Sequence, residues 1–241
     1  MLNLAIPSKG RLKDKSEEWF AAAGYPIHQI GGARGYQARI DGLDGVDVRL
    51  LSAREIALGL IDGSLHVGVT GEDLLHDLAF DPEASFDVAE RLGFGHADVI
   101  VAVPQAWLDV ETMADLEIAG ASFRQTHGRR LRVATKYLGL TRRFFAEQSV
   151  GEYRLVESAG ATEAAPASGA ADVIVDITST GATLKANGLK ILTDGVMLKS
   201  QASIAVSRDA KWTSAEVATF KKMLSAPNAA GFDIDTFLAE S

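Results

Sequence analysis

Between Val173 and Thr183 the chain reads V-I-V-D-I-T-S-T-G-A-T. An apolar run of strand type ends in Asp176. A short loop rich in hydroxyls and glycine follows, and a helical pattern starts near Leu184. That order commits the region to a strand–turn–helix unit, a building block of α/β folds. It is also the order that a phosphate-binding turn needs. Successive backbone N–H groups of such a loop can converge on one anion, and the start of the next helix adds its positive dipole end. Gly181 keeps a Cβ out of the way of the anion, and Ser179, Thr180 and Thr183 can donate hydroxyl hydrogen bonds. A carboxylate only accepts, so Asp176 suits a sugar diol rather than a phosphate. Together these residues point to a phosphorylated ribose. Taken alone, they read equally well as an ordinary strand-to-helix turn with Thr180 as the helix cap.

The rest of the chain alternates in the same way. Residues 2–6 are a short apolar strand, Pro7 to Arg11 a loop, and Leu12, Trp19, Phe20 and Ala23 recur at helical spacing. Residues 36–41 and 46–51 alternate like half-buried strands around the hairpin signal Gly42-Leu43-Asp44-Gly45. Ser52 to Glu55 is a capping box that opens a helix. Further strands are read at 66–70, 86–91, 97–103, 131–134, 153–157, 173–176, 190–192 and 197–206. Thr141 is read as the cap of the helix R-R-F-F-A-E-Q, residues 163–168 as helical, and Thr213 as the cap of a last amphipathic helix. With 23 glycines and 47% hydrophobic residues, this is an α/β chain with a sizeable core. The pattern predicts two α/β lobes with the chain crossing between them twice, near 100–104 and near 188–192. Lobe I takes 1–101 and 190–241, and lobe II takes 102–189. Double crossing suits a cleft that closes on a ligand.

Charge and composition exclude several classes. No apolar run is long enough to span a bilayer, and the amino terminus lacks a signal-peptide pattern; a cytoplasmic protein is expected. Zero cysteines rule out disulfides, thiol catalysis and cysteine-ligated metal. A net charge of −8 argues against general nucleic-acid binding. The local field is different between Ile118 and Ala146. No Asp or Glu occurs there, while Arg124, Arg129, Arg130, Arg132, Lys136, Arg142 and Arg143 do. This run reads either as a polyanion-facing surface or as a solvated basic face, or contact surface for an acidic partner. Histidines 28, 66, 76, 96 and 127 show no metal-ligand spacing, and His66 reads as a satisfied core residue.

Four separated segments then agree. They are A-I-P-S-K-G-R-L at 5–12, V-G-V-T-G-E-D-L-L at 67–75, R-V-A-T-K-Y-L-G-L-T-R-R-F-F at 132–145, and A-D-V-I-V-D-I-T-S-T-G-A-T-L-K-A-N-G-L at 171–189. In this order they resemble the ATP phosphoribosyltransferase family, which opens histidine biosynthesis. The resemblance runs from Leu4 to about Val206. It implies a two-lobed fold like the second type of periplasmic binding proteins, with a cleft between the lobes. With only a helix and a tail after Val206, the chain resembles the family's short form. That form implies a separate regulatory subunit resembling histidyl-tRNA synthetase, a homodimer within a larger hetero-oligomer, and histidine feedback through the partner.

The family's reaction joins N1 of the adenine of ATP to C1 of phosphoribosyl pyrophosphate, releases pyrophosphate and uses Mg²⁺. Adenine N1 already carries a lone pair, so no strong general base is required. The work lies in holding two polyanions in line and stabilising the leaving pyrophosphate. The resemblance implies that Thr178, Ser179, Thr180, Gly181, Ala182 and Thr183 hold the 5′-phosphate, with Asp176 and Glu163 near the ribose hydroxyls. Lys9, Gly10 and Arg11 correspond to the basic loop that faces pyrophosphate and nucleotide. Cations are disfavoured at a helix start, which sharpens that reading of Lys9 and Arg11. Arg49, Gly71, Asp73 and Lys136 are further candidates for nucleotide or phosphate contacts. Asp73 reads equally as a helix cap, and Lys136 as a surface residue. The catalytic set implied is Lys9, Arg11, Glu163 and Asp176, with Mg²⁺ carried by substrate phosphates rather than by a protein metal site. Three other functions fit parts of the pattern: a non-catalytic ligand-binding module of the same fold, a phosphoribosyltransferase with another base acceptor, and an inactive interaction subunit. The role of residues 94–98 is not assigned by the resemblance.

Overall fold

The computed structural model describes residues 1–32, 35–225 and 231–239. The chain forms two compact units, Met1–Gly95 with Gln201–Ser241, and His96–Ser200. The first begins β1 (Leu2–Pro7), α1 (Gly10–Ala22), β2 (Ile27–Ile30), β3 (Gln37–Ile40), β4 (Val46–Leu51) and α2 (Ala53–Ile61). It continues through β5 (Val67–Gly71), α3 (Glu72–Leu78), the four-residue α4 (Pro82–Ser85) and β6 (Phe86–Arg91). The second unit holds β7 (Ala97–Pro104), α5 (Met113–His127), β8 (Leu131–Thr135), α6 (Leu138–Glu147), β9 (Tyr153–Glu157), a 3₁₀ turn at Thr162–Ala164, β10 (Val173–Thr178), α7 (Ala182–Ala186) and β11 (Leu189–Ser200). The chain then completes the first unit with β12 (Ala202–Ser207), α8 (Ser214–Leu224) and α9 (Ile234–Ala239).

The first sheet has the order β2-β3-β4-β1-β5-β12-β6. Strands β4, β1 and β5 run parallel at its centre, and β12 enters antiparallel between β5 and β6. Both faces are covered, which is why the central strands are almost wholly apolar. Leu4, Ile6, Val67, Val69, Ile204 and Val206 pack with Phe20, Phe220 and Phe237 on one face. Ala5 and Ala205 pack with Ile56, Leu60 and Leu75 on the other. Helix α2 lies so close that a Cβ at Gly68 would fall 2.5 Å from Ile56 Cγ2. A glycine there lets helix and strand approach.

The second sheet has the order β11-β7-β10-β8-β9, with β10, β8 and β9 parallel and β7 antiparallel to both β10 and β11. Val173 and Val175 point to a core shared with Met113, Leu116, Leu140 and Phe145, while Ile174 packs with Leu184 and Ala134 on the opposite face. Full burial of a Val, Ile, Met or Phe side chain among these stabilises the fold by roughly 1.5–3 kcal/mol relative to exposure.

Several expectations shift. The units divide at 95/96 and 200/201, earlier than 101/102 and later than 189/190. The reason is pairing. All of β7 and all of β11 hydrogen-bond within the second sheet, so the strands themselves belong to that unit. The segments read at 190–192 and 197–206 are β11, a bulged strand, and β12, separated by Gln201 alone. Helix α1 already starts at Gly10, so Arg11 lies in its first turn rather than in a loop. Helix α6 starts at Leu138, not after Thr141. Thr141 is buried inside it and donates its hydroxyl to the Tyr137 carbonyl at 2.5 Å. Residues 163–168 give only the 3₁₀ turn and further turns. The hairpin β3–β4 and the capping boxes at Ser52 and Thr213 are present as read.

Candidate functional site

In the second unit the carboxyl ends of the parallel strands β9, β8 and β10 lie side by side, where open α/β sheets place their ligands. Lys136 follows β8, Glu163 follows β9 through a short loop, and Asp176 lies inside β10, which runs on to Thr178 rather than ending at Asp176 as the sequence suggested. The Asp176 carboxyl feels the charge of both others. Burial pushes the Asp176 carboxyl above its ordinary value; the Ile177 N–H and the Lys136 ammonium oppose the shift, and the Glu163 carboxylate adds to it. The sequence places these residues in three segments, and the sheet brings them together.

The loop after Asp176 is held from inside. Asp176 Oδ1 accepts the Ile177 N–H at 2.8 Å. Thr178 Oγ1 accepts the Gly181 N–H at 2.8 Å, and Thr180 Oγ1 accepts the Ala182 N–H at 3.4 Å. Gly181, at φ +72°, is the N-cap residue of α7, so Thr180 is not the cap. The turn needs the left-handed backbone that glycine adopts without strain. Ser179 donates its hydroxyl to the His96 carbonyl at 2.9 Å, so it braces the loop from the start of β7. That bond gives His96, within the unassigned 94–98 stretch, a bracing role that the sequence did not reveal. Among the described residues, the N–H groups of Ser179 and Thr180 and the hydroxyl of Thr183 have no partner. Unbonded donors on one short loop are what an anion cradle requires. Ala182 and Thr183 are exposed.

The Glu163 turn is built tightly. Thr162 is buried and its hydroxyl pairs with that of Ser158 at 3.0 Å. Ala161 takes the left-handed conformation, φ 49° and ψ 39°, which is uncommon for a residue with a Cβ. Lys136 lies 4.9 Å from the Tyr137 ring centroid, a cation–π distance.

In the first unit, Lys9 caps α1 with extended backbone and no side-chain cap bond, and no acid occupies the first turn. Lys9, Gly10 and Arg11 are exposed. They follow β1, whose parallel neighbour β5 ends at Gly71, the N-cap of α3; Asp73 is in that helix's first turn. Arg49 lies within β4, short of its end, and donates from Nε to Asp47 at 2.9 Å. Sequence reasoning passed over Glu72. It is buried and accepts two bonds from Arg91, each 3.0 Å, and one from Ser203 Oγ at 2.7 Å. An acid directly after the apolar run V-G-V-T-G was the available signal. These bonds pin the start of α3 beside Gly71 and Asp73.

The basic run is largely spoken for. Arg129 and Arg132 both bond Asp172, and Arg124 and Arg130 both bond Glu152. Burial raises the Asp172 carboxyl, but the two arginines outweigh it and hold it far below the usual range. His66 is buried and bonded at both ring nitrogens, Nδ1 accepting from the Asn3 N–H and Nε2 facing the Lys211 carbonyl. It is the satisfied core residue that its position in the sequence suggested.

Among the described residues no group of three or more His, Cys, Asp or Glu could hold a metal ion.

The family model for ATP phosphoribosyltransferase matches residues 52–226. The ATP phosphoribosyltransferase of Rhodopseudomonas palustris strain BisA53 is 58% identical over 221 residues, 92% of this chain and 68% of that protein. That of Caulobacter vibrioides strain NA1000 / CB15N is 56% identical over 227 residues, 94% of this chain and 71% of that protein. In fold, the chain is similar to a solved ATP phosphoribosyl transferase (HisG:HisZ) complex from Thermotoga maritima, with TM-score 0.68, 24% identity, and 93% and 97% of the two chains covered. It is also similar to an ancestral arginine-binding protein bound to arginine, with TM-score 0.50, 14% identity, and coverage of 93% and 90%. The second likeness places the fold among those of periplasmic-type binding proteins.

Proposed function

We propose, since the chain belongs to the ATP phosphoribosyltransferase family, that its second unit holds phosphoribosyl pyrophosphate and its first supplies cations to the nucleotide and pyrophosphate. The reaction is the first step of histidine biosynthesis: adenine N1 of ATP attacks C1 of phosphoribosyl pyrophosphate, the C1–O bond breaks, and pyrophosphate departs with the bonding electrons. The observation that carries the assignment is the end of β10. There an acceptor-only carboxylate precedes a loop with unbonded N–H donors and a free Thr183 hydroxyl.

Each residue has a part in that reading. The N–H groups of Ser179 and Thr180 and the Thr183 hydroxyl bind the 5′-phosphate, while Gly181 and Ala182 leave it room. Thr178 and Ser179 hold the loop in shape. Asp176 and Glu163 accept the ribose hydroxyls and fix the sugar, so that C1 faces the adenine. Lys9, Arg11 and Lys136 stabilise phosphate charge as pyrophosphate leaves. Gly10 frees the α1 N-terminus for close approach, and Gly71, Asp73 and Arg49 lie on the nucleotide side. Mg²⁺ would arrive on the substrate phosphates and, when bound, would offset the charge of the leaving group.

The direct test is mass spectrometry of phosphoribosyl-ATP formed from ATP, phosphoribosyl pyrophosphate and Mg²⁺, with pyrophosphatase present. Product that needs both substrates supports the reading. Binding of phosphoribosyl pyrophosphate without turnover in any assembly would return the chain to a binding module, and product with another base would reassign the acceptor.

The partner is proposed by analogy with the HisG:HisZ complex, whose fold the chain shares. A homodimer of this chain works within a larger hetero-oligomer containing a regulatory subunit that resembles histidyl-tRNA synthetase. Histidine inhibition that appears only when that subunit is added supports this. Inhibition of the chain by itself refutes it. The assembly is cytoplasmic in this reading; among the described residues no helix is long and apolar enough to cross a membrane.

A further inference from the structure

A groove of about 510 Å³ lies between α6 and the edge strand β9, with Arg130, Arg142, Tyr153 and Arg154 among its lining residues. Three guanidinium groups face it and no acid lines it. Its residues sit where β8 and β9 begin and where α6 ends, so it is at the opposite end of these strands from Lys136, Glu163 and Asp176. It is therefore not part of the loop read as the substrate cradle.

The charges there are poorly compensated. Arg130 reaches Glu152 through Nε at 3.3 Å, but Glu152 is also held by Arg124 at 2.6 and 2.8 Å. Among the described residues, Arg142 makes one hydrogen bond, to the Leu138 carbonyl of its own helix at 3.5 Å. Arg154 has no partner among the described residues. This contrasts with Arg129 and Arg132, a few residues away, which are fully engaged by Asp172. Like charges gathered around one concavity repel each other, and in a chain of net charge −8 they are a local exception. The groove also has an aromatic wall. Tyr153 is half-buried, packs edge-on against Phe145 at 4.7 Å, and has its hydroxyl within the field of Arg142.

We propose that this groove is a second anion site that takes a polyphosphate, with Arg142 and Arg154 as its forked donors and Arg130 adding charge. Guanidinium matches phosphate oxygens in pairs, and three of them suit a chain of phosphates better than a single one. The concavity is of ligand size, and it stands independently of the reaction assigned to the other end of the sheet.

The test is calorimetric titration of the intact protein with inorganic triphosphate. Both arginines are exposed, so Arg142→Gln with Arg154→Gln keeps a melting temperature at or slightly above wild type while weakening one class of sites at least tenfold. Thr183→Val leaves that class unchanged. Arg142→Lys with Arg154→Lys, which keeps the charge but loses the fork, falls between. Uridine triphosphate binding more tightly than triphosphate assigns the Tyr153 face to a base, and equal binding assigns the site to phosphates alone. An unchanged titration in the double Gln variant overturns the proposal. So does a decaglutamate peptide that binds the groove more tightly than triphosphate, since that would make it a docking surface for an acidic protein.

Discussion

Asp176→Asn should separate binding from stability in opposite directions. In the wild type, Asp176 Oδ1 is already engaged by the Ile177 N–H, which leaves Oδ2 as the acceptor for the ribose diol in the proposed role. Asn keeps the first oxygen and replaces the second with an NH₂ donor. A hydrogen bond to a charged group is worth roughly 1.5–3 kcal/mol, so Kd for phosphoribosyl pyrophosphate should rise about ten- to a hundredfold. Stability moves the other way. The folded protein holds this carboxyl above its ordinary value, through burial and the neighbouring Glu163. A carboxyl raised by folding contributes stability at low pH that is lost as pH rises through its folded value. At pH 7 the charge is therefore a cost, and Asn removes it. Thermal melts should show the variant more stable than the wild type at pH 7, with the gap closing on acidification as the wild-type carboxyl takes up its proton. Calorimetry with Mg²⁺ present gives the affinity. An unchanged Kd would take Asp176 out of the ribose role, and a variant less stable at pH 7 would refute the electrostatic account.

Three further outcomes are expected. Thr183→Val deletes a hydroxyl that bonds nothing else among the described residues, so equilibrium binding of phosphoribosyl pyrophosphate should weaken about tenfold or more while the melting temperature holds. Gly181→Ala forces a Cβ into left-handed backbone at φ +72°, costing about 1–2 kcal/mol in chemical denaturation, with a further loss of affinity if the anion approaches there. Glu216 is held down at about 2, mainly by the terminal ammonium of Met1 at 2.9 Å and then by the Thr213 N–H. Its contribution to stability is full above the ordinary value of 4.5 and vanishes as pH falls through about 2. Glu216→Gln should accordingly cost on the order of 1 kcal/mol near neutrality, the scale of a lost helix cap. Acid titration followed by circular dichroism should show that difference shrinking towards pH 2.

The β10 loop was legible because its signals are local. An apolar run, an acid, hydroxyls and a glycine all lie within eleven residues, and the fold adds little to their order. The hairpin and the capping boxes were legible for the same reason. The basic run was not, because Asp172 and Glu152 reach it from other segments, and no periodicity announces a partner at that distance. Thr141 misled through chemistry. A threonine near a helical pattern reads as a cap, yet its hydroxyl can equally bond a carbonyl one turn back inside the helix. The unit boundary was misplaced because strand type fixes where β7 and β11 begin, whereas their hydrogen-bonding partners decide which unit they join. Glu72 was passed over because its ligands, Arg91 and Ser203, are distant in sequence.

The position of β12 sets an order of events during synthesis. Among the described residues, β12 is the strand that pairs with β6 and joins it to β5 in the first sheet. Everything up to Gly95 can leave the ribosome and still lack the piece that closes its sheet, which arrives only with Ala202–Ser207. The second unit has no such wait, since all five of its strands lie between Ala97 and Ser200. The inserted unit can mature while the unit that encloses it in sequence is still open at one edge. For that interval Phe86 and Val88 stand on an unpaired strand, and this is where a nascent chain is most exposed to wrong pairing.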